Sequence, residues 1–143
     1  MTKQEMISAL LENAIANKLS KDFIGDLKFL KSELQRGKTK ELSDNDTINI
    51  LITLIRKQNE MVDFLEVGSA DYISNRAFVS RIEYFLDKKI LDQIYVTEVQ
   101  LRIWIQSHVN MNTINNKNQI IGVVKKSFPY IDGNLIKKVL ETI

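Results

Sequence analysis

Apolar residues recur three, four and seven places apart along this chain, and the pattern is densest between Ser43 and Gly68. There Ile48, Leu51, Ile55, Val62 and Leu65 share one helical stripe, with Ile50, Leu54, Met61 and Phe64 on a second beside it. At about 100° per residue the two stripes merge into an apolar arc of more than half the circumference. Asn49, Thr53, Arg56, Glu60 and Asp63 form the polar remainder, so this helix needs neighbours on more than one side. Ser43, with Asp46 three residues on, supplies an N-cap and an acid in the first turn, where unpaired N–H groups and the positive dipole end favour both. Gly68 is the expected C′ residue, since glycine adopts the left-handed conformation there without steric cost.

The same reading extends to the rest of the chain. Thr2 with Glu5 matches a capping box ahead of a helix carrying Met6, Ile7, Leu10, Leu11 and Ile15, which Asn17 or Lys18 should end. Ser20 caps a second helix with Phe23, Ile24, Leu27, Leu30 and Leu34, closed by Gly37. The short basic link from Gly37 to Leu42 makes this helix and the central one antiparallel neighbours. Ser69 opens a fourth, holding Tyr72, Ile73, Phe78, Ile82, Phe85 and Leu86. From Asp87 to Tyr95, Ile90, Leu91 and Ile94 lie among charges, as a helical turn or an ordered connector, and a lobe boundary falls here.

Thr97 with Gln100 is a second capping box, opening a helix with Val99, Leu101, Ile103, Trp104 and Ile105. Thr113, in an asparagine-rich piece, caps a helix through Ile120, Ile121, Val124 and Phe128 that stops against Pro129. Asp132 caps the last, with Leu135, Ile136, Val139, Leu140 and Ile143 inward. The expected fold is all-α, about seven helices. A four-helix N-terminal part (1–91) packs with a three-helix C-terminal part (92–143).

Composition supports the all-helical reading. With one proline and five glycines in 143 residues, the punctuation that β-hairpins require is missing. The absence of cysteine excludes disulfides and thiolate chemistry and is compatible with a reducing cytosol. No apolar run approaches the ~18 residues of a membrane span, and the N-terminus lacks a signal-peptide core, so a cytoplasmic protein without membrane contact is expected.

The net charge of +2 is unevenly distributed. Lys18 to Lys40 holds seven basic and three acidic residues, Glu41 to His108 seven and eleven, and Val109 to Ile143 five and two. Two basic segments thus flank an acidic middle, which can direct a polyanion to particular faces, unless the lysines simply solvate helix surfaces.

Candidate chemistry is sparse. His108 is the only histidine, and there is no cysteine and no glycine-rich phosphate loop. No catalytic residue, metal-ligand set or cofactor is expected. Near a helix end, His108 reads as a partner of the C-terminal dipole. Trp104, between Ile103 and Ile105, reads as core.

Two places invite a sharper reading. Gly122, mid-helix between Ile121 and Val123, costs about 1 kcal/mol relative to alanine, which suggests that something, such as another helix, approaches its backbone closely. Asp132 and Gly133 open the last helix, whose N–H groups could receive a phosphate with Lys137 and Lys138 one turn on and Lys125 and Lys126 on the neighbouring helix. Alternatively, Asp132 occupies the cap itself and its charge repels an anion.

Several runs together resemble the YqeY-like family, which is related to the C-terminal domain of the GatB subunit of the tRNA-dependent aspartyl/glutamyl amidotransferase. They are Glu41 to Thr47 entering the central helix, Arg56 to Gln58, Phe64 with Val67 to Asp71, Gly122 after Ile120-Ile121, and Asp132 to Leu135. The likeness is colinear over nearly the whole chain. It implies an all-helical fold and an RNA-related role, since the matching amidotransferase domain helps hold tRNA while the chemistry occurs elsewhere. Gly122, Asp132 and Gly133 are the positions it carries over unchanged. Asn118-Gln119 and Pro129-Tyr130 replace a glycine-lysine and a glycine-arginine pair of the family, and the connector around Asp92 to Val96 is longer.

The function expected from all this is a non-catalytic, tRNA-directed RNA-binding module using Gly122, Lys125, Lys126, Asp132, Gly133, Lys137 and Lys138. The family's association with carbon–nitrogen ligase activity would not make this chain an enzyme. The alternative is a helical protein-interaction adaptor that does not bind RNA.

Overall fold

The structure is a computed structural model that describes residues 1–36, 42–110 and 116–143. Gly37 and Thr113, the expected helix stop and cap, lie outside those residues. Among the described residues the fold is all-α with no strand. It has eight helices, one more than expected, arranged in two compact units, Met1–Leu86 and Asp87–Ile143. The first unit contains α1 (Lys3–Ala16), α2 (Lys21–Gln35), α3 (Asp44–Val62) and α4 (Ala70–Glu83). The second contains α5 (Lys88–Ile94), α6 (Glu98–His108), α7 (Lys117–Ser127) and α8 (Gly133–Leu140).

The additional helix is α5, in the stretch the sequence leaves open between turn and connector. Its N-cap Asp87 makes no side-chain cap bond, so the usual local start signal is absent. A tertiary contact holds it instead: the Gln93 side-chain oxygen accepts the Tyr130 N–H at 2.9 Å, tying α5 to the corner before α8.

Six other starts follow the caps read from sequence, whereas α7 starts later than expected, capped by Asn116, whose side-chain oxygen accepts the Asn118 N–H at 2.9 Å. Thr2, Ser20, Ser43 and Ser69 each accept the N–H three residues ahead, and Thr97 with Gln100 forms the full reciprocal box. Two N-terminal helix ends are also joined, because the Asp44 carboxylate accepts the Lys3 N–H at 2.8 Å. At the end of α1, Lys18 takes the left-handed conformation (φ 53°), with Lys18 N–H bonding Ile15 O at 3.1 Å and Leu19 N–H bonding Ala14 O at 3.0 Å. This is a Schellman motif, built here on a lysine where glycine is usual.

In the first unit α2 packs chiefly on α1, and α3 chiefly on α4. Leu27, Leu30, Leu34, Leu51, Ile55 and Ile82 are fully buried. In the second, Leu101, Ile105, Ile120, Val124, Ile136 and Val139 form the centre, with Trp104, Phe128 and Leu135 half-buried against them.

Three expectations about faces change. On α1, Met6 and Ile15 are exposed while Ala14 is buried, so the covered face is narrower than the apolar pattern and displaced toward Ile7, Leu11 and Ala14. α3 ends at Val62 with Asp63 as its cap, six residues before Gly68. There the N–H groups of Phe64 and Leu65 bond the carbonyls three residues back, at 3.1 Å each, so the chain tightens and leaves the helix. Phe64 consequently does not join the buried arc. It is 89% exposed. Gly68 does take a left-handed φ of 85°, but within the turn closed by Ser69 N–H to Glu66 O at 3.0 Å, immediately before α4.

Candidate nucleic-acid interface

The seven residues singled out by sequence all lie in the second unit, which carries eight lysines and arginines against five acids. They fall on α7, α8 and the corner between them, where Phe128 N–H closes α7 on Val124 O and Pro129 prevents another turn.

The four lysines are not equivalent. Lys125 folds back over the corner, its ammonium donating to Ile131 O and, at 3.4 Å, to Pro129 O. These carbonyls have no helical partners, so the charge stabilises the turn. Lys138 Nζ lies 2.8 Å from the Glu98 carboxylate on α6. That hydrogen bond, reinforced by the charge attraction, holds its pKa above the ordinary lysine value. The pair's contribution is therefore complete below the ordinary lysine range and lost as pH rises through the raised pKa. Being exposed, the pair adds little to stability. Lys126 and Lys137 are exposed and form no ion pair among the described residues, which makes them the cations readiest to meet a phosphate.

The α8 N-terminus is occupied by its own cap: Asp132 Oδ1 accepts the Asn134 N–H at 3.0 Å. Of the two readings of this segment, the structure contains the capped one, and a phosphate arriving here would have to displace a carboxylate. Gly133 is not required for room, since a β-carbon there would meet only Lys125 Cε at 4.0 Å.

Gly122 is corrected in a different way. Among the described residues, nothing beyond its own turn of α7 lies within 4 Å of where its β-carbon would be, so no described neighbouring helix accounts for it. It is exposed, one turn from exposed Asn118 and Lys126, on the outer face of α7. A ligand coming from outside would find bare backbone there, flanked by an amide and an ammonium group.

Other features were not legible in the sequence. Lys117 Nζ donates to Leu140 O at 3.0 Å and Ile143 O at 3.4 Å, capping α8 from the start of α7. Trp104 stacks on His108 with ring centroids 4.7 Å apart and meets Phe128 edge-on at 5.1 Å. With Val96, Leu101 and Ile131, the rings of Trp104 and Phe128 floor a groove of about 610 Å³, rimmed by Lys89, Asp92 and Gln93. His108 Nδ1 lies 3.0 Å from the Trp104 carbonyl, at the C-terminal end of α6 where a histidine suits the dipole. The basic segment of the first unit contributes Lys28, Lys31 and Arg36 to a shallow groove of about 410 Å³.

Among the described residues no three acidic, histidine or cysteine side chains gather as a metal cage, and no helix is long and apolar enough to cross a membrane. What the fold defines is a class, an all-α protein of two compact helical units. No family model matches the chain, and no curated protein does either.

Proposed function

We propose that this chain is a non-catalytic, cytoplasmic, YqeY-like RNA-binding module, tRNA-directed, that meets the phosphate backbone with the outer faces of α7 and α8. The observation that carries this reading is Gly122. A solvent-facing helix position with open space around it gains nothing internally from glycine, so its use is explained by close approach of a ligand. Lys126 and Lys137, uncommitted to other charges, supply the phosphate contacts, and the excess of basic residues in this unit supplies the longer-range attraction. Lys125 and Lys138 act at second hand, by fixing the corner and the α6–α8 pairing. Recognition of this kind reads shape and backbone.

Fluorescence anisotropy with total tRNA across a salt series tests the proposal. Affinity should fall steeply with salt. The Lys126→Gln, Lys137→Gln double variant should flatten the slope of log K against log [salt] by about 1.4 to 1.8, as expected for losing two phosphate contacts. Millimolar binding at low salt, or affinity indifferent to salt, would sink the RNA reading.

Gly122→Ala separates stability from binding. With open space at the β-carbon, alanine should stabilise the unit by about 0.5–1 kcal/mol in urea denaturation. The same methyl should weaken tRNA binding. A variant that is more stable and binds unchanged would remove Gly122 from the interface.

The rival reading, a protein-interaction adaptor that binds no RNA, draws on a different observation, the bare Phe64 ring in the first unit.

A further inference from the structure

The turn from α3 into α4 exposes apolar surface that the fold does not use. Phe64 is 89% exposed, Val67 80% and Met61 51%. A spacing of three brings Met61 and Phe64 together. Phe64 N–H bonds Met61 O in an i to i+3 turn, which sets side chains three apart over one another. Val67 follows at the outer corner of the next turn, whose third residue is Gly68. Val62 and Leu65, one place along from Met61 and Phe64, are half-buried. The turn thus has an anchored side and a bare side, and the bare side carries the largest residues.

Within the turn itself the charges have one sign, with the nearest cations in the chain, Lys57 and Arg76, on the flanking helices. From Gln58 to Asn75 the chain holds Glu60, Asp63, Glu66 and Asp71 and no lysine, arginine or histidine. None of the four acids forms an ion pair among the described residues. The carbonyl end of α3 adds negative partial charge at the start of the turn, while the N-terminus of α4 at its far end is covered by the Ser69 cap and by Asp71 in the first turn. A nucleic acid would be repelled here, and an acidic protein likewise. Apolar surface on a turn that carries four acids and no base of its own fits a partner of the opposite pattern.

We propose that the α3–α4 turn is a docking site for a second protein, seating an amphipathic helix whose apolar stripe is flanked by lysines and arginines. Phe64 is its central anchor, Met61 adapts to the contour of the stripe, and Glu60, Asp63 and Glu66 pair with the flanking bases. The site lies in the first unit and goes beyond the RNA reading, which concerns the second. Either can therefore fail alone.

The probe is a fluorescein-labelled amphipathic peptide of leucine and lysine, titrated by anisotropy against the full chain, with a leucine–glutamate peptide of the same pattern as control. The lysine peptide should bind with micromolar Kd and more weakly as salt rises, and the glutamate peptide should not bind. Phe64→Ser, which removes the anchor and leaves every charge in place, should raise Kd at least tenfold with an unchanged melting temperature. Glu60→Gln with Glu66→Gln should weaken binding and reduce its salt dependence. Equal affinity of Phe64→Ser and the native chain would overturn the proposal, as would equal binding of the two peptides. Concentration-dependent self-association in sedimentation, abolished by Phe64→Ser, would also overturn it, because the face would then belong to a second copy of this chain.

Discussion

Ile136→Ala should unfold most of the second unit at moderate denaturant while leaving its surface chemistry untouched. Ile136 is fully buried on α8, at the centre of the cluster formed with Leu101, Ile105, Ile120, Val124 and Val139. Truncating such a side chain removes its transfer energy and leaves a cavity, together about 2–5 kcal/mol. The size of the unit makes that loss decisive. A domain of about 60 residues buries only about 60% of the surface its unfolded chain exposes, so its stability is marginal. Amide hydrogen exchange across α6 to α8 is the measurement, with Lys137→Ala as a control that should stay within about 0.5 kcal/mol of the native chain. Retained protection in Ile136→Ala would mean that the cluster does not close around this residue.

Asn75→Leu should cost the first unit about 2–4 kcal/mol, although leucine is the better helix former and the more apolar residue. Asn75 is 6% exposed, one of only two buried polar residues among those described. Its Nδ2 donates to the Gln58 backbone carbonyl at 3.0 Å and to Gln58 Oε1 at 2.9 Å. Its Oδ1 accepts from Arg76 at 2.9 and 2.6 Å, and Arg76 reaches on to Asn59 Oδ1 at 2.9 Å. The network fastens the C-terminal half of α3 to α4. Leucine would leave the Gln58 amide and the guanidinium short of partners in a half-buried place, and groups stranded in this way cost about 1–3 kcal/mol each. Urea denaturation of the full chain reads the effect. A loss under about 0.5 kcal/mol would show that water replaces the amide and that the helices are held by apolar contact alone.

These two positions also mark how differently the parts of the molecule could be read in advance. Ile136 is legible: a period of three and four after an Asp cap predicts an inward isoleucine, and it is inward. Asn75 is not. Its type favours helix ends and surfaces, and only the neighbouring helix supplies the amide and carbonyl that make burial tolerable. The central helix shows both cases in one element. Its start at Ser43 and its buried Leu51 and Ile55 follow from capping and period, whereas its end does not follow from Gly68. Both a helix continuing to Phe64 and a chain leaving at Val62 satisfy the pattern. The second places Gly68 in a turn and Phe64 in solvent.

The candidate interface divides similarly. Composition and spacing single out α7, the corner and α8, but not that Gly122 faces outward between Asn118 and Lys126. Four lysines nevertheless look alike in a sequence. Lys125 is drawn to the carbonyls of its own corner and Lys138 to Glu98 on another helix, which leaves Lys126 and Lys137 as the outward charges.

Residue order alone is enough for the all-helical class, the caps at Thr2, Ser20, Ser43, Ser69, Thr97 and Asp132, and most of the buried stripes. Each of these depends on interactions within one or two turns of a helix. Tertiary structure alone decided that α5 is a helix, that Asn75 is buried, which lysines face outward and that Phe64 stands bare. Those outcomes depend on partners distant in the chain or, for Phe64, on the lack of one within the fold, and no local pattern of residue types encodes either.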